Sequence, residues 1–154
     1  IERLMDLGLE PFLIASSVRA FAAQRLVRRL CDPCSLPAGS SSLGEQLLST
    51  AIRNGADLAT VMAEAPDWRA PHGCSVCNQS GYTGRLGLFE VALVDPQLQH
   101  AITQKASMSE IVAAARKKGF QTLMEDGLIK ARRGLTSVEE VVRVVGARTE
   151  EVLA

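Results

Sequence analysis

The stretch Cys74-Ser-Val-Cys77-Asn-Gln-Ser-Gly-Tyr-Thr-Gly-Arg-Leu-Gly-Leu-Phe-Glu90 joins a paired-cysteine turn directly to an apolar run, and its reading decides the fold. A matching turn lies upstream, Cys31-Asp-Pro-Cys34, and the two pairs use every cysteine of the chain. A CxxC turn presents two thiolates along one edge of a tetrahedron, so two such turns can close a four-sulfur metal site that leaves no position for water or substrate. The reading favours a structural Zn²⁺ held by Cys31, Cys34, Cys74 and Cys77. Two local disulfides, a thioredoxin-type redox pair and an accidental pairing remain as alternatives. Vicinal CxxC disulfides are strained, and a redox motif needs only one pair, within a βαβ pattern. His72, beside the second turn, is expected to face solvent or to hydrogen-bond a sulfur rather than to ligate.

Downstream of that turn, Leu86, Leu88, Phe89, Val91, Leu93 and Val94 lie between glycines and Asp95-Pro96, which predicts a strand over 84–94. Upstream, Glu10-Pro11 reads as a helix start. Ile14, Val18, Phe21, Ala22, Leu26 and Leu30 fall on one helical face, which predicts a helix running to Leu30 and ending in a cationic turn, Arg25 to Arg29. The segment 35–42 is loop by composition. Two short helices should follow, Leu43 to Arg53 ending at Asn54-Gly55, and one capped by Asp57 and stopped before Pro66. After the strand, Asp95 can cap a helix beginning at Pro96. Three S/T-x-x-E boxes then recur, Ser107/Glu110, Thr122/Glu125 and Thr136/Glu139, with Gly119, Gly134 and Gly146 at positions where left-handed C-caps are expected. The core residues between the caps do not repeat.

The composition supports a folded, mainly helical chain: 47 % of residues are apolar, but only 4 % are aromatic, so an all-β sandwich is disfavoured. Formal charge is zero, which removes any global electrostatic argument for nucleic acid or an anionic membrane. The longest apolar stretch, Pro11 to Ala15, is far too short to span a bilayer. The opening Ile-Glu-Arg-Leu-Met-Asp lacks the features of a secretory signal, and paired thiols in an unexported chain point to a reducing cytoplasm. Without an initiator Met, the chain is expected to be a fragment. It contains no GxxxxGK[ST], HExxH or GxSxG. Glu125-Asp126 and Glu139-Glu140 read as solvated, capping acids on polar helix faces. The isolated chain is therefore expected not to be catalytic.

Taken together, Arg3-Leu-Met-Asp-Leu-Gly-Leu-Glu-Pro-Phe-Leu-Ile-Ala-Ser-Ser17, Ala23-Gln-Arg-Leu-Val-Arg-Arg-Leu-Cys31, the run Gly73 to Val91, and Glu125-Asp-Gly-Leu-Ile-Lys-Ala-Arg-Arg-Gly-Leu-Thr-Ser-Val-Glu-Glu-Val-Val-Arg-Val144 resemble the C-terminal part of a type II secretion ATPase. The same segments resemble the related type IV pilus assembly ATPases. The insertion from Ser35 to Gly73 does not follow the family beyond its cysteines.

The resemblance implies an α/β fragment, mainly helical. Residues 1–30 would be the closing helix of a RecA-like ATPase domain, 31–84 a tetracysteine metal-binding insertion, and 85–154 a strand plus helical C-terminal subdomain. It implies a cytoplasmic motor, usually hexameric, associated peripherally with the bacterial inner membrane. Its ATP hydrolysis drives pseudopilus assembly and protein export, or pilus extension. The phosphate-binding loop, acidic boxes and histidine box precede this segment in the family, so ATP and Mg²⁺ belong to the longer parent. Implied partners are like subunits in a ring and inner-membrane components of the system, not nucleic acid. Arg25 and Arg85 are the candidates for nucleotide or inter-subunit contacts. The competing functions are a free-standing zinc-ribbon binding module and a CxxC redox protein. The metal cross-link is expected to hold an insertion with too little core of its own, so that Cys31→Ser unfolds the insertion while the C-terminal helices survive.

Overall fold

The computed structural model describes residues 1–39 and 41–146. Its elements run in the order α1 (Glu2–Asp6), α2 (Pro11–Ser17), β1 (Ala20–Leu30), β2 (Leu36–Pro37), α3 (Ser42–Arg53), α4 (Ala59–Ala63), β3 (Arg69–Ala70), β4 (Tyr82–Leu93), α5 (Pro96–Thr103), α6 (Met108–Arg116), α7 (Leu123–Arg132) and α8 (Val138–Val145). The fold is thus mixed α/β. β1 pairs with β4, and the short β2 and β3 form a separate antiparallel pair with Leu36 opposite Ala70 and Pro37 opposite Arg69.

The expected strand after the second cysteine turn is present as β4, but the expected helix over Pro11 to Leu30 is corrected. It stops at Ser17, and Val18 is already extended, with φ −79° and ψ 130°. Ala20 to Leu30 is a strand, so the arginines Arg25, Arg28 and Arg29 do not cap a helix. The cause is non-local. Ala, Leu, Gln and Arg favour helix in isolation, but the backbone of β4 needs a partner for its N–H and C=O groups, and β1 supplies it.

The helix starts are mostly as expected. Asp95 accepts from Leu98 N at 2.8 Å with Pro96 in the first turn, and the boxes at Ser107/Glu110 and Thr122/Glu125 are complete. The α3 cap is Ser41, whose Oγ accepts from Gly44 N at 3.1 Å. The α4 N-cap is Leu58 with no side-chain bond, although Asp57 Oδ1 accepts from Ala59 N at 3.4 Å. At the chain's end the expected box is one residue out of register. Ser137, not Thr136, caps α8, accepting from Glu140 N at 3.2 Å. Gly119 and Gly134 have the expected positive φ, whereas Gly146 is right-handed at φ −66°.

The chain divides into two compact units, each built from two separate segments. The first comprises Ile1–Ala23 and Glu90–Gln121. Its core is Ile14 and Ala15 of α2, Leu98 and Ile102 of α5 and Ile111 of α6. The second comprises Gln24–Phe89 and the chain from Thr122 onward. Here Leu48, Leu58, Val61 and Trp68, from between the cysteine pairs, pack with Leu128, Ile129, Val138 and Val141 of α7 and α8. Helices α7 and α8 approach closely because residue 127 is glycine: a Cβ there would lie 2.5 Å from Val141 Cγ1. The segment between the cysteine pairs therefore shares one core with α7 and α8, which should couple the stability of the two.

Of the acids read as solvated, capping groups, Glu139 is exposed and Glu125 caps α7, but solvation is corrected for Glu125, Asp126 and Glu140. Glu125 and Glu140 are buried, and Asp126 Oδ2 accepts both the Phe89 N–H, at 2.8 Å, and Lys130 Nζ. Glu140, 1 % exposed, receives Arg28 N at 3.0 Å, Arg28 Nη2 at 2.7 Å and a two-point contact from Arg143. Burial pushes its carboxyl up, but the Arg143 and Arg28 guanidiniums and the Arg28 N–H outweigh burial and hold it down at about 2 from an ordinary 4.5. A depressed carboxylate stabilises the fold above its unfolded value and loses that contribution as pH falls through its folded value. The unfolding free energy from urea titrations should therefore fall by roughly 3 kcal/mol between pH 4.5 and about 2, and Glu140→Gln should flatten that part of the profile. An unchanged profile in the variant would rule out Glu140 as the group responsible.

Candidate metal centre

The backbone around the second cysteine turn is shaped by residues that only small or polar side chains tolerate. Gly81 has φ +75°, and a Cβ on it would lie 2.5 Å from Pro71 Cβ; Gly73, at φ +123°, would place one 2.9 Å from the Gln79 carbonyl oxygen. Between them, Asn78 and Gln79 are left-handed at φ 50° and 61°. This curls the chain back so that Gln79 N donates to Cys74 O at 2.9 Å and Ser80 Oγ donates to Cys77 O at 2.6 Å. On the other arm, Cys34 N and Ser35 N donate to Cys31 O at 3.2 and 2.9 Å, and Cys31 N donates to Gly81 O at 3.0 Å, tying the two turns together.

The result gathers the sulfurs of Cys31, Cys34, Cys74 and Cys77 within 4.8 Å of one another, all four as free thiols. Cys31, Cys34 and Cys77 are buried and Cys74 is half-buried. The Cys31–Cys74 separation is 3.9 Å, and Cys34–Cys77 and Cys74–Cys77 are each 3.8 Å. A tetrahedral ion bonded to sulfur at about 2.3 Å requires sulfur–sulfur edges of about 3.8 Å. The donor set therefore fits a metal, and these residues can hold one. A thiophilic ion there would supply charge neutralisation and cross-linking rather than reactivity.

The electrostatics around the group are uneven. Gly73 N donates to Cys34 Sγ at 3.3 Å, while Cys74 N and Gly81 N both donate to Cys77 Sγ at 3.2 Å. Burial pushes the Cys34 thiol up, to about 12. Burial acts on Cys77 in the same sense, but the N–H groups of Cys74 and Gly81 and the neighbouring sulfurs bring it down to about 6. Of these two, Cys77 is the sulfur that its surroundings favour as thiolate, the form a metal requires.

His72 is exposed, and no histidine joins the sulfur cluster among the described residues. Arg25 is exposed on β1, with Nη1 donating to Gln24 O at 3.0 Å, and Arg85 is exposed on β4. Sequence reading missed the basic group that touches the centre's surroundings: Arg69, whose Nη1 donates to Ser35 O at 3.2 Å and Ser35 Oγ at 2.8 Å while Nε contacts Asp67. Only its place beside Asp67 and Trp68 could have hinted at that bridge. Among the described residues, no helix is long and apolar enough to cross a membrane.

Comparison with known proteins agrees with these features. A type IV pilus assembly ATPase of Thermus thermophilus is 40 % identical over 98 % of this chain and 16 % of its own length. A type II secretion system ATPase E of Vibrio cholerae is 39 % identical over 94 % of this chain and 26 % of its own length. A type II secretion system protein E of Pseudomonas aeruginosa is 38 % identical with the same coverage, 94 % and 26 %. The chain thus spans between 16 % and 26 % of these relatives. The profile of the family described as "Type II/IV secretion system protein" runs through residues 1–143, across both cysteine turns, all four described strands and nearly all of the described helices. With relatives of this identity along its whole described length, the chain belongs to the type II/IV secretion system protein family.

Proposed function

We propose that this chain is the C-terminal segment of a cytoplasmic motor ATPase that powers type II protein secretion through pseudopilus assembly, and that its four cysteines hold a structural Zn²⁺. The observation that carries the reading is the family match over residues 1–143, joined to relatives whose names specify secretion or pilus ATPases. The short span relative to those proteins supports a segment of something longer. So do exposed large apolar side chains in the first unit, Leu7 at 72 % and Phe12 at 67 %, which a larger protein would cover. Zinc follows from the donor set: four thiolates suit a d¹⁰ ion in a closed tetrahedral site.

On this reading residues 1–30 close a RecA-like domain, 31–84 form the metal-binding insertion and 85–154 the C-terminal subdomain. ATP and Mg²⁺ bind elsewhere in the longer protein. Arg25 and Arg85 face the nucleotide or a neighbouring subunit in a ring of like chains, which sits at the inner membrane with other components of the system. Pilus extension is the second reading, favoured by the pilus relative at 40 % identity.

The test is an epitope tag placed in this segment at its native locus, followed by deletion of the locus. A product several times larger than this chain, with protein export lost, supports the proposal; loss of surface pili with export intact selects the second reading. A product of this length with both processes unaffected refutes both. The purified chain should carry one zinc and hydrolyse no ATP, since it contains no GxxxxGK[ST]. Metal analysis and a phosphate-release assay check this.

A further inference from the structure

The two arms that carry the sulfurs are gripped from behind by the C-terminal helix. Cys31 and Cys74 are separated by 43 residues, so nothing local keeps their turns together. Just before Cys31, Leu30 N donates to Leu135 O at 3.0 Å. Arg28 is held more firmly: its N–H and guanidinium both donate to Glu140, and its carbonyl accepts from Thr136 Oγ1 at 2.9 Å. The Arg28 guanidinium also lies 4.0 Å from the centroid of the Tyr82 ring. Tyr82 begins β4, directly after Gly81, and its hydroxyl lies 3.0 Å from Ser137 Oγ. One buried carboxylate therefore connects α8 to the arm bearing Cys31 and, through the stacked Arg28, to the arm bearing Cys77.

The Glu140 side chain is fully enclosed, at 0 % exposure, while its partners Arg28 and Arg143 are 48 % and 61 % exposed. An ionised carboxylate in such a position is costly unless its partners stay in place, so the clamp is held in one geometry. We propose that Glu140 is a positioning residue for the metal centre: by fixing Arg28 and Tyr82 it sets the spacing of the two cysteine-bearing arms, so that metal capture and seating of α8 are linked. The proposal rests on the tetracysteine group binding metal. Ordering the two arms costs conformational entropy, and a clamp that orders them beforehand leaves more of the metal–sulfur energy to appear as affinity. Linkage makes the effect reciprocal: whatever α8 adds to metal binding, the metal adds to the docking of α8.

The experiment uses the full chain. Zinc affinity is measured by competition with a chromophoric chelator for wild type, Glu140→Gln and Tyr82→Phe, each shown to be folded by circular dichroism. Glu140→Gln should bind zinc about tenfold more weakly. Tyr82→Phe, which keeps the ring under Arg28 and loses only the hydroxyl contact with Ser137, should shift affinity less and in the same direction. It also serves as the test if Glu140→Gln does not fold. Hydrogen exchange supplies the readout that a space-filling role would not move: removing zinc from the wild type should speed exchange along α8, and in Glu140→Gln that dependence on zinc should shrink. Wild-type affinity in the folded variants, with α8 exchange indifferent to zinc, overturns the proposal alone. Failure of the wild-type chain to take up zinc overturns the metal reading and this proposal with it.

Discussion

Cys31→Ser should strip the chain of its metal and melt the insertion together with α7 and α8, not the insertion alone. Cys31 is completely buried, and its sulfur lies 3.9 Å from that of Cys74. Serine offers a neutral hydroxyl in its place, a poor ligand at neutral pH, and leaves three sulfurs to hold the ion. Structural zinc contributes on the order of 10–16 kcal/mol in small zinc domains, so losing one ligand of four should cost at least about 3 kcal/mol, or roughly 10 °C in melting temperature at this chain length. The shared core decides what melts. Leu48, Leu58, Val61 and Trp68 belong to one buried cluster with Leu128, Val138 and Val141. Zinc content by atomic absorption should fall from one per chain to none, and exchange protection should be lost in α3, α7 and α8 together. A mutant that keeps α7 and α8 protected while the insertion opens would restore the picture of two independent pieces. One that keeps its zinc and its melting temperature would remove the cross-link altogether.

Trp68→Ala tests the same core without touching a sulfur. Trp68 is the only tryptophan, 3 % exposed, and its indole N–H donates to Glu45 Oε1 at 3.0 Å. Gly44 is packed against it so tightly that a Cβ there would lie 2.8 Å from Trp68 Cη2. The substitution empties a buried, close-packed position and should cost about 3–5 kcal/mol, as large aromatic-to-alanine changes in cores do. Urea unfolding followed by circular dichroism should show the midpoint fall, with zinc still bound at low denaturant. A loss below about 1 kcal/mol would mean that Trp68 is not a keystone of this core.

Local chemistry was legible in the sequence; long-range pairing was not. Asp95, Ser107 and Thr122 announce themselves because the groups they bind lie within three residues, and each cysteine turn because its two cysteines are three apart. The strand β1 did not, because its Ala, Leu, Gln and Arg residues suit a helix, and only pairing with β4 makes them extended. The last box was misread for a similar reason. Thr136-Ser137 and Glu139-Glu140 offer two registers of equal local merit, and the choice is made when the Thr136 hydroxyl is drawn to Arg28 O. The burial of Glu140 likewise depends on Arg28, 112 residues away in sequence. The grouping of the four cysteines was readable from their spacing, but the N–H donors that favour thiolate at Cys77 follow from the backbone path at 78–81.

The chain passes between its two units at Ala23/Gln24, Phe89/Glu90 and Gln121/Thr122. No single cut in the polypeptide therefore isolates either unit: removing the chain up to Ala23 takes part of the first, and removing it from Thr122 takes part of the second. The same threading sets an order during synthesis. All four cysteines emerge from the ribosome before Tyr82, whereas α7 and α8, which share the core with Trp68, come after Thr122. A nascent chain thus presents all four cysteines before the segments that bury its tryptophan, and zinc supplied during translation should give more folded protein than zinc added afterwards.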